Sequence, residues 1–264
     1  MAEIGTTKYN AGTIDTSVDG DTTDFTATIG KHYVIPYATG TPAANLVITL
    51  PATPDIGNAV SYTMTTADAT YHVDFVASSI NGTAYSSGGS YALIEAGDSV
   101  TFRYVDATVG WIVAANSIAG AYGSLSIEGG TTATTFGGSS TDFTNKSQIT
   151  VFDTDGSSLA MTPVNAQDHL VIRRTGEYQL FATVSFIGGS TDVYSLAFFK
   201  NNGVTKLGSR TTRKIGSGAT DTGACSVSAL ETLTAGDTVE LFIQNETDTS
   251  DCTIQDCVFS AIQI

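Results

Sequence analysis

Charged residues are scarce in this chain, and basic ones are the scarcest. Asp, Glu, Lys and Arg make up 14% of the 264 residues, where an average soluble domain has about 25%. The 26 acidic residues outnumber the 11 basic ones, so the formal net charge is −15. This balance disfavours a free nucleic-acid-binding protein and a protein that lies on an anionic membrane. We therefore expect neither partner. A large acidic excess is typical of soluble surface proteins.

Long apolar runs are also missing. No run reaches the roughly 18 residues of a membrane-spanning helix. Residues 1–6, MAEIGT, have neither the basic nor the apolar part of a secretory signal peptide. Runs rich in helix-forming residues are absent too. These absences predict a protein without helices, assembled in a cytoplasm and without a membrane partner.

Residues that carry chemistry are few. The three cysteines, Cys225, Cys252 and Cys257, are an odd number at no common zinc spacing, which favours reduced structural thiols. A Cys252–Cys257 bridge, or one to Cys225, is the alternative. The three histidines lie in different predicted strands and form no Ser-His-Asp or Cys-His pattern. We expect no enzyme, no catalytic residue, no metal and no cofactor.

What the chain does contain is a succession of short, alternating apolar segments separated by Gly, Asp, Asn or Pro. This pattern is typical of an all-β protein, with an antiparallel β-sandwich or barrel in the first half. Residues 1–24 are polar and predict an N-terminal arm. We expect an N-terminal β domain over 25–117, a linker over 118–120 and a second β domain over 121–264.

One phrase occurs twice, as EAGDSVTFRYVD at 95–106 and as TAGDTVELFIQN at 234–245. In both places a small residue, Gly and Asp precede an alternating strand. Gly supplies a positive φ, and an Asp side chain accepts hydrogen bonds from its own backbone. We interpret the phrase as a tight turn used by both domains, and not as an active site.

The second half carries a specific order of features. Gly176-Glu-Tyr178 opens a long strand, an NNG hairpin turn follows, then Leu233-Thr-Ala-Gly-Asp-Thr-Val239, and CVFSAIQI ends the sequence. Together these motifs, over about 145 residues, resemble the jelly-roll domain of complement globular heads and tumour-necrosis-factor-like proteins. Phage structural proteins and spore-surface filaments carry it too. The resemblance implies a two-sheet jelly roll that forms compact homotrimers.

The residues favour a trimer independently. In EYQLFATVSF the strand pleat places Tyr178 and Leu180 towards the core and Phe181 on the opposite side. Phe242 and Val258 likewise point away from the core in their strands. Several large apolar groups on outward faces indicate an interface, so Phe181, Phe242 and Val258 are candidates for the trimer interface. The alternative is that loops of the same chain cover them.

The first half resembles, more weakly, β modules of phage tail fibres and virion surfaces, through Leu50-Pro51, Ile80-Asn-Gly82 and Trp111. With the jelly roll, this resemblance implies a bacteriophage virion surface protein. The function we expect is a capsid decoration (cement) protein that binds the major capsid protein of the assembled head as a trimer. The alternative is the receptor-binding tip of a tail fibre or spike. The absence of a shaft between the two domains favours the compact decoration protein.

Overall fold

The computed structural model describes residues 14–15, 24–37, 44–68, 70–85, 91–189, 191–216 and 221–264. The chain divides into two compact units, Met1–Ala119 and Gly120–Ile264. The arm predicted for residues 1–24 lies outside the described residues, apart from Ile14, Asp15 and Asp24.

The described residues of the N-terminal unit form nine strands in one connected sheet. They are β1 (Ile14–Asp15), β2 (Phe25–Thr26), β3 (His32–Pro36), β4 (Leu46–Thr49), β5 (Ala59–Thr66), β6 (Val73–Ile80), β7 (Thr83–Tyr85), β8 (Ser99–Asp106) and β9 (Gly110–Ser117). The sheet order is β1-β3-β5-β8-β9-β6-β4-β2, with β7 paired to β6. The sheet folds over on itself, because Tyr62 of β5 and Phe75 of β6 lie three strands apart in the sheet order, yet their ring centroids are 4.7 Å apart.

The antiparallel pairing that we expected for this unit is only partly correct, because the sheet is mixed. β3 runs parallel to β5, and β4 runs parallel to β6, whereas β5, β8 and β9 pair in antiparallel fashion. The chain alternates between the two halves of the sheet, so a strand pairs with the strand after next. Connections such as residues 50–58 are longer than hairpin loops, which usually have two to five residues, roughly. These longer connections allow the chain to cross from one half of the sheet to the other.

In the C-terminal unit, the part of the chain that the structure describes forms twelve strands and one 3-10 turn at Asn165–Gln167. The strands are β10 (Tyr122–Ile127), β11 (Ala133–Thr134), β12 (Ser147–Gln148), β13 (Thr154–Asp155), β14 (Met161–Val164), β15 (His169–Ile172), β16 (Gly176–Gly188), β17 (Val193–Lys200), β18 (Thr205–Lys214), β19 (Thr222–Leu233), β20 (Thr238–Asn245) and β21 (Cys252–Gln263).

These strands form two sheets. Sheet I has the order β13-β10-β21-β16-β19, with β11 on β21, and sheet II has the order β14-β15-β20-β17-β18, with β12 on β20. From β15 to β21 the chain alternates between the sheets, except at the β17–β18 hairpin within sheet II, and every pairing among the described residues of this unit is antiparallel. This is a jelly roll, which confirms the fold class predicted for the second half.

The predicted alternation defines the core between the two sheets. Tyr178, Leu180, Ala182, Val184 and Phe186 of β16 are all fully buried, as are Val239, Leu241 and Ile243 of β20. Phe198 of β17 and Phe259 of β21 meet across the sandwich with ring centroids 5.5 Å apart. Burial of these side chains is the main source of stability of the unit.

The repeated phrase forms the same turn in both units. Gly97 and Gly236 both have φ = 95°. Their N–H groups donate to the carbonyls of Met64 and Ile172, at the ends of neighbouring strands. The Asp98 carboxylate accepts from the Glu95 N–H, and the Asp237 carboxylate accepts from the Thr234 N–H. The phrase is therefore a structural turn, as interpreted from the sequence.

Candidate functional site

The outward side of sheet I presents a flat face, which we call the open face. Four strands, β10, β21, β16 and β19, contribute three rows of directly paired residues. The face consists of Tyr122, Ser124, Ser126, Gln179, Phe181, Thr183, Ser226, Ser228, Leu230, Val258, Ser260 and Ile262. None of the twelve side chains is charged, although the protein carries a net charge of −15.

Large apolar side chains are concentrated on the open face. Five of the nine exposed large hydrophobic residues in the described part of the chain belong to it. Phe181 is 43% exposed and Val258 is 49% exposed. They lie on adjacent strands and in adjacent rows, since Phe181 pairs with Ser260 and Val258 pairs with Thr183. Ile264, also exposed, continues the apolar surface beyond the end of β21.

The structure corrects the expectation for Phe242. This residue lies in sheet II, is only 8% exposed, and packs against Phe199 with ring centroids 5.0 Å apart. Phe143 lies on Phe199 at 5.4 Å, and the Lys146 ammonium is 4.7 Å from the Phe199 ring centroid. Phe242 therefore points away from the sandwich core, as predicted, but its own chain covers it, so it does not belong to the open face.

The covering segment, residues 137–148, is held on sheet II by polar contacts. The Ser140 hydroxyl donates to the Gln244 side chain at 2.9 Å, and the Gln244 amide donates back to the Ser140 carbonyl. Arg210 donates to the Thr141 carbonyl and forms an ion pair with Glu246 at 3.0 Å. We call the outward side of sheet II beneath this segment the covered face. No feature of the strand pattern distinguishes it from the open face.

Two titratable groups pair across strands on the covered face. His169 and Glu240 are direct partners in β15 and β20. The Glu240 carboxylate accepts from the Asn202 N–H at 3.2 Å and from the Thr238 hydroxyl. Burial lowers the pKa of His169, and the negative charge of Glu240 opposes part of that shift. The surroundings of His169 thus favour its neutral form.

The three cysteines are free thiols. Cys225 and Cys257 both pair with Val184, one from each side, which separates them by two strand spacings of about 4.8 Å. Cys252 and Cys257 lie roughly 15 Å apart along one extended strand. A disulfide needs Cα atoms about 4.4–6.8 Å apart, so the bridges left open by the sequence do not form. Burial raises the pKa of Cys225 to about 11 and that of Cys252 to about 12.

The histidines of the N-terminal unit have ordinary polar partners. His72 lies 3.2 Å from the Asp74 carboxylate and 3.0 Å from the Asn45 amide, and His32 lies 3.2 Å from the Thr63 hydroxyl. In the described ranges, no three His, Cys, Asp or Glu side chains come together as metal ligands. Nor does that part of the chain include a helix long and apolar enough to cross a membrane.

No family model matches this sequence, and no curated protein matches it. Among solved structures, murine APRIL at pH 5.0 is 12% identical with a TM-score of 0.40, over 55% of this chain and 100% of that chain. Eiger TNF from S. frugiperda is 16% identical with a TM-score of 0.35, over 55% and 92%. The globular domain of zebrafish complement 1qA protein is 13% identical with a TM-score of 0.38, over 55% and 98%. These likenesses are too low to bear on function, and the jelly roll is established by its own strand order.

Proposed function

We propose that the protein is a structural, non-enzymatic component of a phage virion that assembles as a homotrimer through the open face. The observation that carries this proposal is the charge-free, apolar face built by Phe181, Val258, Ile262 and their neighbours. Interface cores are depleted of charge and enriched in aromatic side chains. Two molecules of net charge −15 repel each other, so they associate most readily through a region without charge.

The dimensions of the open face suit the core of an interface. Four strands about 4.8 Å apart and three rows about 6.7 Å apart give an area of about 400 Å². A standard interface covers about 800 Å² on each partner, with a polar rim around its core. The open face is therefore the core, and surrounding polar residues complete the contact. Three copies are the number that the jelly-roll resemblance implies.

The proposed role of the trimer is to decorate the assembled phage head. Three identical contacts on one rigid body bind through avidity, because the second and third contacts form at a high effective concentration. A protein that binds only the assembled shell stabilises it by mass action. In this proposal the major capsid protein is the partner, and the virion surface is the location.

Two measurements test the proposal in sequence. Light scattering over a range of protein concentrations should give three times the mass of one chain. Purified protein should then be added to phage heads that lack their decoration protein and imaged by electron microscopy. Regular occupation of lattice positions supports the proposal. A trimer that ignores heads but coats host cells would replace it with a receptor-binding function, and a monomer at all concentrations would refute the assembly itself.

A further inference from the structure

Strand β18 has a charge opposite to that of the rest of the molecule. Its ten residues, Thr205–Lys214, contain four of the eleven basic residues of the whole chain and no acidic residue. The four are Lys206, Arg210, Arg213 and Lys214, and all are exposed. β18 is also the edge strand of sheet II. The edge strand β18 of this acidic protein is therefore cationic.

Three of these cations share one side of the sheet. Lys206 pairs with Phe199, Arg210 with Ala197 and Lys214 with Val193. Lys206 and Arg210 are four residues apart on β18, so strand alternation places them on the same side, and their partners Phe199 and Ala197 agree with this across a register shift. Directly paired residues point to the same side of a sheet. Residues two positions apart along a strand are separated by about 7 Å. The cationic strip, defined as Lys206, Arg210 and Lys214, thus spans about 20 Å along the strand, with Arg210 nearer to Lys206 than to Lys214.

Most of the strip is not neutralised by the protein itself. Arg210 is paired with Glu246 at 3.0 Å, and the Lys206 ammonium donates to the Gly208 carbonyl at 2.6 Å. Among the described residues, no ion pair joins Lys206 or Lys214 to a carboxylate. Two cations elsewhere have partners within the protein, since Lys200 is paired with Asp237 at 3.0 Å and Lys146 lies over two aromatic rings.

We propose that the cationic strip binds a linear anionic polysaccharide. A chain of sulfated or carboxylated sugars running along β18 meets a row of cations and the exposed Thr212 beside them. Glu246 is the carboxylate paired with the strip, at Arg210, and acidic groups more than about 8 Å from the bound chain are largely screened by salt. A flat anionic membrane approaches much of that acidic surface. Two or three phosphate contacts are also few for nucleic-acid binding.

Cations on an edge strand also discourage pairing with other chains. That role requires charge but not three cations on one side of the sheet. If the cations served only to prevent such pairing, no saturable binding of an anionic polymer would be expected. The inference is independent of the trimer, because the strip lies within one chain and on sheet II.

The test is binding of the full-length protein to dextran sulfate, with neutral dextran as the reference polymer, at about 50 mM salt and upwards. We expect saturable binding to dextran sulfate alone. The variant K206Q/K214Q should bind about tenfold or more weakly and should lower the slope of log affinity against log salt by about two. Arg210 is left intact because it also holds the covering segment.

Two control variants make the test decisive. K206R/K214R keeps the charge and should bind like the parent protein. T131D/T150D makes the same change in net charge at exposed positions elsewhere, and it should also bind like the parent. Equal weakening in T131D/T150D would overturn the inference, as would parent protein that binds dextran sulfate no better than dextran. Preference for a DNA duplex or for phosphatidylserine vesicles over dextran sulfate would also overturn it.

Discussion

The two outer faces of the jelly roll carry similar aromatic residues but have different surroundings. On the covered face, Phe242 and Phe199 lie beneath Phe143 of the same chain, and Phe242 is 8% exposed. On the open face, Phe181 is 43% exposed, and its two cross-strand partners are the small residues Ser228 and Ser260. Outward aromatic residues on one face stabilise the single chain, and on the other they remain available to a second molecule.

This difference shows what a strand pattern can and cannot report. Alternation identifies side chains that point away from the core, and both Phe181 and Phe242 do so. What covers such a side chain depends on contacts far away in sequence, such as the hydrogen bond between Ser140 and Gln244. Equivalent substitutions on the two faces should therefore have different effects. On the covered face they should destabilise the single chain, and on the open face they should weaken its association with other copies.

The largest expected effect is that of Phe242→Ala. Removing a buried phenylalanine costs about 3 kcal/mol or more of the free energy of unfolding, and the loss should be the same at every protein concentration. Phe181→Ala should cost a dilute single chain less than about 1 kcal/mol and should instead abolish the concentration dependence of unfolding. Urea denaturation at several protein concentrations separates the two. Equal behaviour of the two variants would remove the distinction between the faces.

A smaller effect is expected at Gly203, in the hairpin beside the covered face. A Cβ atom there would lie 2.7 Å from the Phe242 ring and 3.1 Å from Lys146. Gly203→Ala should therefore lower the free energy of unfolding by about 1 kcal/mol because of the positive φ, and by at least about as much again because the Phe242 ring must move. Gly129 is the matched control, since it also has a positive φ but nothing lies within 4 Å of the added atom. Thermal denaturation should show the larger loss at Gly203, and equal losses would contradict the packing described for Phe242.

The smallest expected effect is a pH dependence that belongs to the covered face. Burial lowers the pKa of His169 in the folded protein. As pH falls below the ordinary histidine value of about 6.5, the unfolded chain takes up a proton before the folded chain does. The free energy of unfolding should therefore decrease over that range and level off below the folded pKa. His169→Gln should reduce this decrease. An identical pH profile for the variant would show that His169 is not the group responsible.

Much of the C-terminal fold could be predicted because local patterns determined it. The alternation in β16 identified each buried residue from Tyr178 to Phe186. The turn phrase correctly placed the positive φ at Gly97 and Gly236. Both features depend on the pleat or on backbone conformation within a few residues, which a sequence expresses directly.

Three features could not be predicted, because they depend on contacts between distant segments. The parallel pairs β3–β5 and β4–β6 arise from long crossings that a strand pattern does not specify. The cover over Phe242 comes from a segment about a hundred residues earlier. The position of β18 at the edge of sheet II shows only in the order of the strands.

The most direct test of the central claim is the mass in solution of the parent protein and two matched variants. Val258→Asp places a charge in the open face, whereas Val204→Asp makes the same substitution in the β17–β18 hairpin, at a residue 79% exposed. We expect sedimentation velocity to show a trimer for the parent and for Val204→Asp, and a monomer for Val258→Asp. A monomeric parent protein, or a Val258→Asp variant that remains trimeric, would contradict assembly through the open face.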